Sequence, residues 1–273
     1  MPTWTLATGE RERLERLADD ENRKPGNLSD YDCQKCKNKG RIATVHPGWM
    51  GRGFEIQYAD CDCMKQRRYL RNIRESGLSD MLTRYTLDAW QCREPWQASV
   101  LEAVKRYAGR PEGWFCLSGT PGTGKTHLCT ALCGLLLQQG FPVRYMLWRD
   151  VTVRAKAVVN DGEAYAAILE PLKRVRVLYI DDFWKTGRAA NHVNGQLAPT
   201  VGDMNLAFEL LNARYTDSSL MTIISTEMQL GVMLAFDEAI GSRIAERTHG
   251  GRYCDLSGYQ NWRMTDAWMS VNH

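Results

Sequence analysis

A chain of 273 residues, 44% hydrophobic, 25% charged and 10% aromatic, is long enough for one full-sized core plus a small appendage. No apolar run approaches the roughly 18 residues of a membrane-crossing helix, and the charged stretch Glu10-Arg11-Glu12-Arg13 leaves no room for an apolar signal segment, so membrane, secreted, fibrous and disordered classes are excluded. The formal charge of +3, from 35 basic and 32 acidic residues, confines any nucleic-acid surface to a local patch, and nine cysteines without a signal segment point to a reducing cytoplasm.

In chain order, residues 10–23 are expected to form a short helix with Leu14 and Leu17 on one face, broken by Lys24-Pro25-Gly26-Asn27. Residues 31–63 are rich in Gly, Cys and polar side chains and lack helical periodicity. They read as short strands and turns around something other than an apolar core. Cys33-x-x-Cys36 and Cys61-x-Cys63 form two close pairs of thiols, the donor set of a tetrahedral Zn²⁺. Four cysteines also suit an iron–sulfur cluster, and His46 can replace one thiolate, so the spacing leaves both open. Zinc is the expectation, because a structural metal is an economical way to fold so apolar-poor a segment. Cys92, Cys116, Cys129, Cys133 and Cys254 lie scattered on apolar elements and read as free thiols.

Residues 64–75 read as a helix in which Lys65, Arg67, Arg68, Arg71 and Arg74 occur with no acid between them. Such a run is either a solvated face or a surface for acidic protein or nucleic-acid phosphates. Residues 78–95 form a connector with Tyr85, Leu87 and Trp90 as anchors, which gives a domain at 1–80, a linker at 81–95 and a second domain at 96–273. After a helix in 96–108, short apolar runs at 114–117, 143–148, 175–180 and 220–225 alternate with helical patterns at 127–138, 151–159, 204–216 and 237–247. A strand at 253–256 closes the series. Strands alternating with helices imply parallel pairing and an α/β layered domain.

Gly119-Thr120-Pro121-Gly122-Thr123-Gly124-Lys125-Thr126 matches G-x-x-x-x-G-K-[ST] in full, between a predicted strand and a predicted helix. Glycines there let successive backbone N–H groups cradle a polyphosphate. Lys125 would reach the β and γ phosphates of ATP, and the Thr126 hydroxyl would hold Mg²⁺. The apolar run Val177-Leu178-Tyr179-Ile180 ends in Asp181 and Asp182, where Asp181 would serve the metal and Asp182 the attacking water. At the end of the 220–225 run, Thr226 is the candidate to reach the γ-phosphate or that water. Arg243 and Arg247 lie four apart on one helical face.

These features together resemble the AAA+ ATPases, and more closely the DnaC/DnaI-type replicative helicase loaders and the related IstB transposition helpers. The match is carried by residues 119–126, 177–184, 205–215, 223–227 and 241–247, within 96–263. It implies a P-loop NTPase parallel-sheet domain preceded by a small zinc-binding domain that docks on a DnaB-type helicase. Residues 258–263, with Asn261-Trp262-Arg263, resemble the family's short C-terminal end without a helical lid. The resemblance further implies Mg²⁺-dependent ATP hydrolysis, single-stranded DNA as a partner, and assembly into a spiral or ring. In such an assembly Arg243, ahead of Arg247, would act as an arginine finger in a neighbour's site. Arg154, Lys156, Lys173 and Arg174 flank the region where such ATPases line a single-strand channel. Two departures are Asp182, where many members carry Glu, and Glu227, where many AAA+ sensors carry Asn. The expected function is loading of a replicative helicase. The alternatives are a transposition helper ATPase and a nucleotide-binding adaptor with little hydrolysis, and the sequence leaves chromosomal, phage or mobile-element origin open.

Overall fold

The computed structural model describes residues 3–49, 53–185, 192–193 and 196–262. The chain divides into two compact units, Met1–Arg71 and Asn72–His273.

In the first unit, helix α1 (Thr3–Arg23) packs on a hairpin of strands β1 (Arg41–Pro47) and β2 (Phe54–Asp60), antiparallel from Arg41↔Asp60 to Pro47↔Phe54. The Asn22 amide donates to the Ala43 carbonyl at 2.8 Å and accepts from the Ala43 N–H at 2.9 Å, so one side chain satisfies the strand edge as a neighbouring strand would. Apolar burial among the described residues of this unit is slight: Ala18, Ala43 and the four clustered cysteines. Helix α2 (Cys63–Ser76) begins on the last of these cysteines. Its basic run is not one continuous surface. Arg67 is turned inward, 1% exposed, and donates to the Tyr31 carbonyl at 2.5 Å and to Asn38 Oδ1 at 2.9 Å, while Lys65, Arg68, Arg71 and Arg74 are exposed.

The second unit begins with α3 (Ser79–Arg84) and α4 (Pro95–Gly109), followed by β3 (Trp114–Gly119), α5 (Lys125–Gln138), β4 (Val143–Leu147) and α6 (Trp148–Ala157). Then come α7 (Gly162–Arg174), β5 (Val177–Phe183) and the two-residue pairs β6 (His192–Val193) and β7 (Gln196–Leu197). The chain continues through α8 (Val201–Tyr215), β8 (Met221–Thr226), α9 (Leu230–Phe236), α10 (Glu238–Arg247) and β9 (Tyr253–Leu256). The sheet order is β4-β5-β8-β3-β9 with every pair parallel. β3 and β8 are buried along their whole length, as expected of parallel strands covered on both faces.

Three helices of the second unit, α3, α7 and α9, are absent from the sequence reading, and α8 starts earlier than expected. Caps account for α7 and for the start of α8: Asp161 accepts from the Ala164 N–H at 3.0 Å, and Thr200 and Asp203 form a reciprocal capping box. Residues 81–95 are not a free connector. Leu78 is fully buried just ahead of them, and the Thr86 carbonyl lies 2.7 Å from His127 Nε2 on α5.

Arg214 on α8 is fully buried and forms no ion pair with a carboxylate among the described residues. It donates to Thr222 Oγ1 and to the carbonyls of Leu172, Val175 and Met221 at 2.6–3.0 Å, and to that of Lys173 at 3.2 Å. Burial pulls its pKa down to about 9, so it is still charged at neutral pH. One guanidinium therefore clamps the end of α7 and the start of β8 onto α8. Arg214→Ala strands these acceptors away from water and should destabilise the second unit by about 3–5 kcal/mol. Denaturant unfolding of that unit checks this, and a loss below about 1 kcal/mol would show the acceptors finding other donors.

Candidate functional site

The loop between β3 and α5 is shaped by residues that only glycine can supply. Gly124 sits at φ +86° as the N-cap of α5, and a Cβ there would lie 2.4 Å from the Trp90 ring. Gly119, at φ +134°, passes so close to β9 that a Cβ would lie 2.4 Å from the Leu256 carbonyl carbon. The first N–H groups of α5 therefore open onto the loop with the positive end of the helix dipole. Lys125 is 6% exposed, and its ammonium donates to the Gly119 and Thr120 carbonyls at 2.7 and 2.8 Å. Burial holds it below the usual lysine range, partly offset by Glu227 and Asp182. Such an ammonium can exchange neutral carbonyls for phosphate oxygens at a net gain.

Because β8 lies between β3 and β5, the loop faces the ends of both neighbouring strands. Thr126 Oγ1 donates to Asp181 Oδ1 at 3.1 Å, which brings the two proposed magnesium residues together. Asp181 is 4% exposed and held by two further hydroxyls: Ser225 Oγ donates to Oδ1, and Tyr145 OH donates to Oδ2 at 3.2 Å. Asp182 adopts φ +52° and Trp184 φ +59°, and β5 loses its regular register on β8 after Ile180. This left-handed kink is braced by the stacked, buried rings of Phe183 and Trp184, and by the Asp182 N–H donating to Ser225 Oγ at 3.1 Å. It places Asp182 on the wall of a cleft of about 470 Å³ shared with Gly124, Lys125, Thr126, Lys185 and Glu227. Lys185 bridges the two acids, at 3.2 Å from Asp182 and 2.8 Å from Glu227. Burial opposes its charge, but these carboxylates hold it above the usual lysine range.

An adjoining pocket of about 240 Å³ lies beside the same glycines, walled by Trp90, Arg93, His127 and Trp262. Trp90 is fixed by its indole N–H donating to the Gln97 carbonyl at 3.2 Å and by edge contact with His127. The Trp262 N–H donates to the Gly122 carbonyl at 3.3 Å.

Around the cleft, the structure departs from the sequence reading at Thr226. Thr226 is fully buried and its hydroxyl is committed, donating to the Phe183 carbonyl and accepting from the Met228 N–H, so it holds β8 to β5 and does not line the cleft. The residue that reaches the cleft from that strand end is Glu227. Arg243 lies on α10 against α8, donating to the Ala239 carbonyl and Asn212 Oδ1 with Phe208 and Tyr215 beneath it. Neither it nor Arg247, which donates to the Leu220 carbonyl at 3.3 Å, lines the cleft of its own chain. Among the proposed channel residues, Lys156 pairs with Asp203, Lys173 with Glu170 and Glu209, and Arg174 with Glu170. The lidless ending rests in part on Arg263 and the residues after it, which lie outside the described residues.

In the first unit the sulfurs of Cys33, Cys36, Cys61 and Cys63 all lie within 4.8 Å of one another, with Cys33–Cys61 at 3.8 Å and Cys36–Cys63 at 3.5 Å. Four thiolates about 2.3 Å from a tetrahedral zinc would stand ~3.8 Å apart, so the cluster fits a metal such as zinc. A tight turn delivers the first pair: Lys37, Asn38 and Gly40 have φ of 48°, 66° and 76°, and the Gly40 N–H donates to Cys36 Sγ at 3.3 Å. Burial pushes the Cys63 thiol up to about 12. At Cys36 burial is outweighed by the Gly40 amide and the adjacent thiols, which bring it down to about 6. His46 is not a ligand, since its ring pairs with Thr44 Oγ1 in an exposed position.

Tyr145, Lys185 and Ser225 carry no signal of their own in the sequence; strand pairing and the kink after Ile180 bring them to the site. Trp90 was visible as an anchor but not as a wall of the pocket.

Among the described residues no helix is long and apolar enough to cross a membrane. Residues 110–249 match the family model of the IstB-like ATP binding protein. The phage-like element PBSX protein XkdC of Bacillus subtilis is 30% identical over 230 residues, 80% of this chain and 80% of that protein. The replicative helicase loader DnaC of Escherichia coli is 28% identical over 116 residues, 41% of this chain and 47% of that protein. The crystal structure of the DnaC helicase loader superposes with a TM-score of 0.51 at 18% identity, covering 65% of this chain and 98% of that one, which shows the shared AAA+ fold. With its glycine loop, paired aspartates and five parallel strands, the chain belongs to the IstB-like ATP-binding protein family.

Proposed function

We propose that the protein is a Mg²⁺-dependent ATPase that loads a DnaB-type replicative helicase onto single-stranded DNA, with zinc holding its N-terminal unit together. The observation that carries the ATPase reading is the meeting of Thr126 and Asp181, 3.1 Å apart, beside a cleft that Asp182 also lines. Lys125 and the α5 N–H groups bind the phosphates, and the pocket of Trp90 and Trp262 takes the purine. Thr126 and Asp181 offer hard oxygen donors that suit Mg²⁺, which when bound would neutralise charge on the β and γ phosphates. Asp182 accepts a proton from, and orients, the attacking water. A hydrolysis switch of this kind suits timed release of a partner rather than metabolic turnover. Likeness to the DnaC loader supports a replicative helicase as partner. The exposed Lys65, Arg68, Arg71 and Arg74 offer a local basic surface for the helicase or for single-stranded DNA.

A second reading, a transposition helper, is favoured by the family model itself. The four-cysteine module favours the loader. Co-purification with the replicative helicase of the same cell or element decides between them, and capture of a transposase instead would reverse the choice.

For the ATPase, Lys125→Ala should weaken ATP binding by at least about tenfold. Asp182→Asn should cut turnover about 100-fold while leaving ATP affinity within about threefold. Calorimetric titration and phosphate release read the two effects separately. Equal loss of affinity and turnover in Asp182→Asn would remove its role on the water.

A further inference from the structure

The cleft contains a cation that the phosphate loop does not supply. Lys185 follows the left-handed kink at Asp182 and Trp184, and its N–H donates to the Asp182 carbonyl at 2.9 Å, so its stem is anchored by the same rigid turn that aims Asp182. Its ammonium reaches across to Glu227, at the end of β8, and contacts both carboxylates on the wall that faces Lys125 and Thr126. The Lys185 side chain is 45% exposed and the two carboxylate side chains about a third, so all three are open to whatever enters the cleft. Without Lys185, Asp182 and Glu227 would both lose their direct ion pair and turn two carboxylates toward the far end of a bound triphosphate.

We propose that Lys185 is a γ-phosphate ligand that distinguishes ATP from ADP by exchanging Glu227 for the terminal phosphate. Three observations support this. The Trp90 pocket lies beside Gly122 and Gly124, while Asp182, Lys185 and Glu227 line the adjoining cleft, with Thr126 and the same glycines, and not the Trp90 pocket. Lys125 enters the cleft from the glycine loop, whereas Lys185 enters it from the ends of β5 and β8 beside Asp182, so it adds a second ammonium where the terminal phosphate would meet the attacking water. Finally, an acid at position 227 gives the ammonium a partner it can leave. A phosphate dianion offers more charge and more acceptor oxygens than one carboxylate, so the exchange runs toward phosphate once it arrives. Departure of Lys185 also releases Asp182 from its ion pair and frees that carboxylate for the water. The inference rests on the proposed ATP site and assigns a residue within it.

The test is calorimetric titration of the full-length protein, with Mg²⁺ present, using the β,γ-imido analogue of ATP and, separately, ADP. Lys185→Ala should lower affinity for the triphosphate analogue ~10–100-fold, the worth of one charge-assisted hydrogen bond, and change ADP affinity by less than about threefold. Glu227→Gln, which removes the competing carboxylate but keeps the side chain's shape, should raise analogue affinity severalfold and leave ADP unchanged. It also keeps the idea testable should the lysine variant fail to fold. Equal loss for both nucleotides in Lys185→Ala, or no loss for either, overturns the proposal. So does a Glu227→Gln protein with unaltered discrimination. Lys125→Ala, which should weaken both nucleotides, serves as the control. If it weakens neither, the ATP site itself is misplaced and the Lys185 assignment falls with it; if it weakens both while Lys185→Ala spares the difference, only the Lys185 assignment fails.

Discussion

Mixing Arg243→Ala chains with Lys125→Ala chains should restore ATP turnover that neither variant shows alone. The expectation follows from where Arg243 sits. Its guanidinium is on α10, bonded to the Ala239 carbonyl and to Asn212 of α8, and does not line the cleft of its own chain. An arginine that serves hydrolysis from there must serve a neighbouring subunit. Arginine fingers are worth about 10³–10⁵ in rate, and the partly committed hydrogen bonds of Arg243 argue for the low end. Arg243→Ala alone should therefore bind ATP normally, assemble, and lose about 1,000-fold or somewhat less of the turnover that assembly and single-stranded DNA stimulate. In the mixture, an Arg243→Ala chain offers an intact nucleotide site and the Lys125→Ala chain offers the arginine. Phosphate release by verified mixed assemblies is the measurement. A mixture no more active than its parts makes Arg243 a brace between α8 and α10 and transfers the finger to Arg247.

The largest structural effect is expected at the cysteine cluster. Freshly purified protein should contain one zinc per chain, and Cys33→Ser or Cys61→Ser should lose both the metal and the fold of residues 31–63. The unit has little else to hold it: Ala18 and Ala43 are the buried aliphatic side chains among its described residues, apart from the cysteines. Zinc binding to such modules contributes about 10–16 kcal/mol at neutral pH, far more than the apolar contacts here can replace. Amide exchange should show β1 and β2 losing protection in Cys61→Ser, while the second unit keeps its ATP affinity. Full protection of the hairpin in metal-free protein would sink the structural role of the metal.

Much of this molecule is written in residues adjacent along the chain. The run 119–126 names its own geometry, because no other residue type fits the φ angles of Gly119 and Gly124 and no other chemistry needs a lysine and a threonine directly behind them. Paired cysteines likewise marked the four-sulfur cluster, since two short spacings deliver four sulfurs whatever the path between them. The order of the five sheet strands followed from hydrophobic periodicity, and parallel pairing followed from the helices between them. Local chemistry of this kind is carried by residues adjacent in the chain.

What the sequence could not decide depends on partners that are distant in the chain. Thr226 and Glu227 are neighbours, and only the pairing of β8 with β5 turns the threonine onto the Phe183 carbonyl and the glutamate into the cleft. Arg67 looks like its four basic companions on α2, and it is buried because the Asn38 turn and the Tyr31 carbonyl meet it from below. Lys185 and Trp90 come from segments with no motif. They reach the site because a left-handed kink aims one and packing against Gly124 and His127 holds the other. The sequence alone determined where the glycine loop, the paired aspartates and the paired cysteines stand and in what order the sheet strands run, because those depend on residue type and local spacing. Tertiary structure alone decided which charges face the phosphates and which are spent inside the fold, because that depends on strand register and on contacts between residues far apart in the chain.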